Sequence, residues 1–260
     1  MYLRDKIVWL TGAGSGIGEG LALELARRGA QVALTGRTRE TLETVARDIA
    51  HGGGKAVVIP ADVTKADEIQ NGYRTLVTSL GTPHIVIANA GTHIETWPEQ
   101  FKGSEYLSIM DINFGGMIRL FDAVLPEMIA RKEGTIVGVA SLAGFRGLPR
   151  AAAYGASKSA IIHFLESIRF HLRHCGVRVV TINPGFVKTP LTDKNDFHMP
   201  FLLTIEESAR AICDGLEAEK TTISYPPLFA LLFRVMRILP EWLYNFLVEK
   251  QWQRMEARKR

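Results

Sequence analysis

Two side chains able to move a proton stand four residues apart in Tyr154-Gly-Ala-Ser-Lys158, downstream of Ser141. On a helix, positions i and i+4 share a face, so the Tyr154 hydroxyl and the Lys158 ammonium can act together at a carbonyl. Taken alone, such a pair is as readily a solvated helix face. A second segment changes that reading. Thr11-Gly-Ala-Gly-Ser-Gly-Ile-Gly18 stands near the amino terminus, between a strand-like run and a helix-like run. There, glycines let the backbone approach a pyrophosphate, and the helix amino terminus beyond them offers free N–H groups and partial positive charge. Gly12, Ser15, Gly16, Ile17 and Gly18 are therefore candidate cofactor ligands.

The end of the second strand speaks to which cofactor. A nicotinamide fingerprint normally places an acid about 20 residues after the glycine loop, on the ribose 2′-hydroxyl. Here the strand ends Leu34-Thr-Gly36-Arg37-Thr38, with glycine in the acid's place and arginine after it. Guanidinium suits a 2′-phosphate, so NADP(H) is expected over NAD(H), with Ser15 and Thr38 adding hydrogen bonds.

Short apolar runs alternate with longer amphipathic segments along the chain. Strands are predicted at 7–10, 31–35, 56–59, 84–88, 135–140, 177–182 and 221–224. Helices are predicted at 17–28, 39–51, 65–80, 104–131, 152–174 and 205–217. Near-continuous Val, Ile and Ala runs without polar alternation imply strands covered on both faces. Strict alternation then gives an α/β fold, a doubly wound parallel sheet of the Rossmann type with helices on both faces. Residues 1–225 form one such domain, and 226–260 a hydrophobic helical extension that is not a domain of its own.

The chain resembles the single-domain branch of the short-chain dehydrogenase/reductase family. The likeness is carried by the glycine loop, Asp62-Val63, Asn89-Ala-Gly91, Asn113, Ser141, Tyr154-x-x-x-Lys158 and Pro184-Gly185-x-x-x-Thr189, in that order. It departs from many relatives at Ala88, where they carry a second asparagine. The resemblance implies that Tyr154 is the general acid in carbonyl reduction, and that Ser141 hydrogen-bonds the substrate oxygen. A free tyrosine titrates near 10, and a close ammonium would lower that by favouring phenolate. Lys158 would also bond the nicotinamide ribose, and Asn113 would hold a water linking Lys158 to solvent. Asp62 and Val63 would contact the adenine, Asn89, Ala90 and Gly91 would line the cleft, and Thr189 would meet the carboxamide. Pro184, Gly185 and Val187 complete the cofactor set. Relatives pair through their two long helices, which implies a homodimer or homotetramer.

The substrate side is apolar. Leu142, Phe145 and Phe186 are candidate substrate contacts beside Ser141, and the segment 190–204 is a candidate lid. A lipid-like or steroid-like ketone, or the matching secondary alcohol, fits that inventory better than a sugar. A 3-oxoacyl thioester reductase is the nearest enzyme alternative, and a non-catalytic NADP(H)-binding regulator the alternative of another class. Arg146 reads either as a partner for an anionic substrate or as a solvated residue. His93, just after Gly91, reads either as a substrate-facing group or as loop surface.

The composition narrows the remaining classes. The chain has 260 residues, 47% hydrophobic and 22% charged, with a net charge of +4. No basic stripe is interleaved with aromatics, so nucleic acid is not an expected partner. Cys175 and Cys213 make no C-x-x-C pair, which fits a reducing compartment. No metal site is expected, His171 and His174 reading as helix-end residues. No secretory signal is expected either, because a strand-like run begins at Lys6. No stretch reaches the roughly 20 apolar residues a bilayer span needs. The tail after Tyr225 is rich in Leu, Phe, Trp and Tyr, and Pro240 divides it. It suits either an interfacial membrane element or a helix pair packed on the protein. A cytoplasmic location, with peripheral membrane contact through this tail, is the expectation.

Overall fold

The computed structural model describes residues 3–193, 197 and 199–257. Its centre is one parallel sheet of β1 (Ile7–Thr11), β2 (Gln31–Gly36), β3 (Lys55–Pro60), β4 (Ile85–Ala88), β5 (Gly134–Val139), β6 (Val177–Pro184) and β7 (Thr222–Tyr225). The strand order is β3-β2-β1-β4-β5-β6-β7. Every residue of β1 and β4 is buried, as unbroken runs such as Ile7-Val-Trp-Leu-Thr11 require of central strands covered on both faces.

Two apolar cores lie on the two sides of the sheet. One is built by α1 (Gly16–Arg27), α2 (Arg39–His51) and α7 (Ile205–Glu217), which contribute Leu21, Leu25, Leu42, Val45, Ile212 and Leu216. The other is built by α3 (Ala66–Ser79), α5 (Gly116–Arg131) and α6 (Ala152–His174), through Ile69, Leu76, Leu120, Val124, Ile161 and Leu165. The chain winds from β1 out to β3 and then returns to β4 at the other side of β1. The loops after β1 and β4 therefore part at the carboxyl edge and open a crevice, where open α/β sheets bind their ligands.

One helix differs from the expectation, and the helical extension divides at Pro240 as expected. The single helix expected over 104–131 is α4 (Gly103–Met110), a π-helical turn at Asp111–Gly115, and α5. Asp111 is drawn aside by Arg119 at 2.6 Å, and the Asn113 amide bonds outward to the loop after β4. Such single π turns inside helices recur at functional positions. The extension is two helices, α8 (Pro227–Ile238) and α9 (Glu241–Ala257). Leu239 is extended at φ −61° and ψ 140°, as a residue before proline prefers, and this ends α8 before Pro240.

Candidate active site

The loop from β1 into α1 is held from both sides. Gly12 takes φ +66°, and a Cβ there would stand 2.8 Å from Ala90 Cα. At Gly18 a Cβ would fall 1.9 Å from the Gly12 carbonyl oxygen. Only glycine fits either place. Asn89 fixes the loop to the end of β4, its Nδ2 donating to the carbonyls of Thr11 at 3.0 Å and Gly12 at 3.2 Å. Ser15 is the residue before α1, and its exposed side chain makes no capping bond, which leaves the hydroxyl to a ligand. Glycine backbone turned into the left-handed region, a free hydroxyl and the amino terminus of a buried twelve-residue helix form a cradle suited to a diphosphate.

Farther along the sheet edge, the residues able to do chemistry come together. Ser141 follows β5, Lys158 and Tyr154 project from the first turns of α6, and all three line one cleft with the glycine loop. The cleft encloses about 390 Å³. Asn89, Ala90 and Gly91 line it on the β4 side, and Pro184, Gly185, Val187 and Thr189 on the β6 side. Val139 and Ala140, which sequence reasoning did not single out, also line it, as do Pro190, Leu191 and Thr192 at the start of the candidate lid segment. Thr192 earns its place by geometry: its Oγ1 donates to the Val187 carbonyl at 2.6 Å and accepts from the Thr189 N–H at 2.9 Å. Its sequence signal is weak, a threonine three positions after Thr189.

Lys158 is 4% exposed, and its Nζ donates to the Val139 carbonyl at 2.8 Å. Burial brings the ammonium down from 10.5 to about 8. Burial also pushes the Tyr154 phenol up, a hydrogen bond with Ser141 pulling the other way. The lowering of Tyr154 by Lys158, expected from the sequence, is therefore not what this arrangement gives. The ammonium is turned to Val139, its Nζ 5.6 Å from the centre of the phenol ring, and desolvation prevails. Ser141 Oγ accepts from the Ala143 N–H at 3.1 Å, which fixes the hydroxyl beside the phenol.

Asn113 lies outside the cleft wall and is 1% exposed. Its Oδ1 accepts from the Thr92 N–H at 2.7 Å, while Nδ2 donates to the Thr92 carbonyl at 3.0 Å and to Ser157 Oγ at 2.9 Å. Ser157 in turn donates to the Tyr154 carbonyl at 2.7 Å. One amide thus ties the loop after β4 to the turn of α6 that carries Tyr154. His93 packs edge-on against the Tyr154 ring with centroids 4.9 Å apart, and burial lowers its imidazole.

The remaining candidates lie around this centre. Asp62 Oδ1 accepts from the Thr64 N–H at 2.9 Å and from its hydroxyl at 2.8 Å. Burial works to raise this carboxyl, but the Thr64 bonds and the nearby Arg37 charge outweigh it and hold it low. Val63 is buried under Gly116. Arg37 and Thr38 are exposed after β2, and no carboxylate ends that strand. Leu142, Phe145 and Phe186 stand behind the cleft wall, in an apolar cluster with Phe229, Ala230 and Phe233 of α8. Arg146 is spent on the protein itself. Its Nη1 lies 3.0 Å from the Arg237 and Leu239 carbonyls and 3.3 Å from that of Met236, and its guanidinium covers the Tyr244 ring at 4.2 Å. Among the described residues no group of three His, Cys, Asp or Glu stands ready for a metal, and no helix is long and apolar enough to cross a membrane.

Comparison with known proteins places this arrangement. The profile of the short chain dehydrogenase family matches residues 6–199. An uncharacterized oxidoreductase of Myxococcus xanthus is 42% identical over 246 residues, covering 94% of this chain and 96% of that one. Another, of Staphylococcus aureus, is 35% identical over 73% of this chain and 81% of its own. Among solved structures, a short-chain type dehydrogenase/reductase from Mycobacterium marinum superposes with a TM-score of 0.79 at 30% identity, covering 85% of this chain and 93% of that one. A second, from Burkholderia phymatum in complex with NAD, superposes at 0.83 with 21% identity over 90% and 93%, and shares the fold. The glycine cradle, the triad at the sheet edge and these likenesses lead to one conclusion: the chain is an oxidoreductase of the short-chain dehydrogenase/reductase family, which works with a nicotinamide cofactor.

Proposed function

We propose that the protein reduces a ketone on an apolar, lipid-like or steroid-like substrate with NADPH, or oxidises the matching secondary alcohol with NADP. The observation that carries this reading is the meeting of Ser141, Tyr154 and Lys158 in one cleft with the glycine cradle. The nicotinamide, when bound, supplies or accepts the hydride. Tyr154, held protonated by its burial, gives its proton to the carbonyl oxygen as the alcohol forms. Ser141 orients that oxygen. Lys158, cationic below about pH 8, holds the ribose hydroxyls and, once its ammonium turns from Val139 to the phenol ring 5.6 Å away, stabilises the phenolate that Tyr154 leaves behind. Asn113 positions Tyr154 through Ser157.

Three features support the finer parts of the reading. The end of β2 offers an exposed arginine and no acid, and Ser15 has a free hydroxyl, both in keeping with a 2′-phosphate. The apolar cluster behind Ser141 suits a hydrophobic substrate. An apolar groove along α5 and α6, bounded by Leu125, Phe164 and Ile168, suits pairing of two copies through these helices.

The test is turnover of ketones and 3-oxoacyl thioesters of graded chain length, with NADPH and with NADH. Turnover that rises with chain length and favours NADPH is expected. Tyr154→Phe should lower it by roughly 10²–10⁴-fold, the usual contribution of a positioned acid, without loosening NADPH. A Tyr154→Phe protein that keeps full turnover would sink the acid assignment. NADPH bound tightly with no turnover across the panel would favour the regulator.

A further inference from the structure

The extension α8–α9 has two faces with different fates. Towards the protein, Phe229, Ala230 and Phe233 are buried against Leu142, Phe145 and Phe186. The approach is close: a Cβ at Gly185 would stand 2.9 Å from Phe229. Away from the protein, Leu228, Leu231, Leu232, Val235 and Ile238 are all exposed, Ile238 by 80%. Their spacing of i, i+3, i+4, i+7 and i+10 puts them on one stripe of the helix. Past Pro240, Trp242 and Phe246 carry exposed apolar surface onto α9, Trp242 by 72%. A run of large apolar side chains of this length on a folded surface marks an interaction site.

Charge and length say what covers it. The charged residues of α8 are Arg234 and Arg237, both cationic and both exposed, Arg234 beside the stripe and Arg237 over the Phe145 ring at 6.0 Å. Lys250 adds a third cation beside Phe246, and the acids Glu241 and Glu249 lie on α9. An apolar stripe flanked by arginine, on a helix of 12 residues that cannot span a bilayer, is built to lie in the headgroup boundary of an anionic membrane. A tryptophan at the junction favours the same place. The opposite face of α8 packs on Leu142 and Phe186, chain neighbours of Ser141 and Gly185 in the cleft wall.

We propose that the outer face of α8 and the first turns of α9 dock on an anionic lipid bilayer, from which the cleft takes its apolar substrate. The docking stands on the surface alone, and the supply of substrate rests on the function proposed above.

The test is flotation of the full chain with vesicles of phosphatidylglycerol and phosphatidylcholine, and with phosphatidylcholine alone. Binding to the anionic vesicles is expected, weaker on neutral ones and weaker in high salt. Leu231→Glu combined with Val235→Glu should weaken it by roughly tenfold or more, since affinity follows buried apolar area. Circular dichroism, and turnover of a small water-soluble ketone without vesicles, should match the wild type. If the double variant unfolds, Arg234→Glu tests the same face from its charged edge and should weaken anionic binding alone. Protein that stays behind when the vesicles float, or a folded double variant that floats as well as wild type, overturns the docking. A concentration-dependent dimer that the double variant abolishes, with no vesicle binding, gives this face to a second copy and overturns it too. Vesicle binding with no ketone turnover leaves the docking intact and counts against the oxidoreductase substrate reading instead.

Discussion

Lys158 is where burial and chemistry meet most sharply. A lysine that titrates at 10.5 in the unfolded chain and about 8 in the fold costs stability whenever it is charged. Below about pH 8 both states are protonated and the full cost is present. Between 8 and 10.5 the unfolded chain binds more protons, so stability rises with pH through that window. The depression corresponds to about 3 kcal/mol at roughly 1.4 kcal/mol per pH unit. Lys158→Met should remove this rise, and urea unfolding of the cofactor-free protein across pH 7 to 10, a range of about three units, measures it. Equal slopes for wild type and variant would mean that Lys158 is not held down by burial. The charge that is costly for folding is the one proposed to stabilise the phenolate of Tyr154. Reductive turnover should accordingly fall as pH rises through about 8, which a pH–rate profile will show.

At the scale of elements, the catalytic turn and the tail are joined by one residue. Arg146 stands just after the short turn Leu142–Gly144 and reaches the last carbonyls of α8, where the helix dipole also favours a cation. The Tyr244 hydroxyl, on α9, donates to the Gly147 carbonyl from the other side. Arg146→Ala should cost about 2 kcal/mol, the scale of charge-assisted bonds to a helix end. It should also expose the chain around Pro240 to limited proteolysis while Tyr154 keeps its place. A variant cut no faster than wild type would show that the tail holds without this bond. The sequence carried no sign of that contact, because it joins residues 91 and 93 positions apart. What the sequence does carry is local. The runs 7–10 and 85–88 are strands because no polar residue interrupts them, and the glycine loop is legible because its conformation excludes side chains. Tyr154 and Lys158 are legible because helix periodicity alone brings them together. The π turn at Asp111–Gly115 is not, since it depends on Asn113 reaching Thr92 across the fold. Leu142 and Phe186 read as pocket residues from composition, and lie in a cluster with α8 because the helical extension folds back over them, a long-range contact that no local pattern marks.

Across the whole molecule, the crevice depends on α1 and α7 staying together on one side of the sheet, and the brace between them is polar. Arg28 follows α1 and meets three carboxylates: Glu24 at 2.7 Å, Asp214 at 2.6 Å and Glu217 at 2.7 Å, the last two from α7. Its side chain is 14% exposed and that of Glu24 10%, so water screens this pair little, whereas Asp214 is 69% exposed and its pair is well screened. Glu24 is held below the ordinary 4.5, first by its hydrogen bond with Arg27 and then by Arg28, against the pull of burial. Removing Arg28 leaves Glu24 charged, nearly buried and paired only with Arg27, whose side chain is 68% exposed. Arg28→Met should therefore cost about 3 kcal/mol at neutral pH, the scale for breaking a buried pair from one side. Glu24 contributes its stability above 4.5 and loses it as pH falls through its lower folded value. The penalty of Arg28→Met should thus be full at pH 7 and shrink once Glu24 takes up its proton. Denaturant unfolding at neutral pH and at stepwise lower pH until Glu24 is protonated reads both sides of that change. A penalty of the same size at both would show that Arg28 acts through packing of its stem against α7 rather than through charge. Because α1 also presents its amino terminus to the cleft and α7 follows the loop that carries Thr189, loss of this brace should loosen the nicotinamide cofactor along with the fold. Equilibrium titration of the cofactor by fluorescence measures that coupling directly, and unchanged affinity in a destabilised variant would show that the brace holds α1 to α7 without shaping the site.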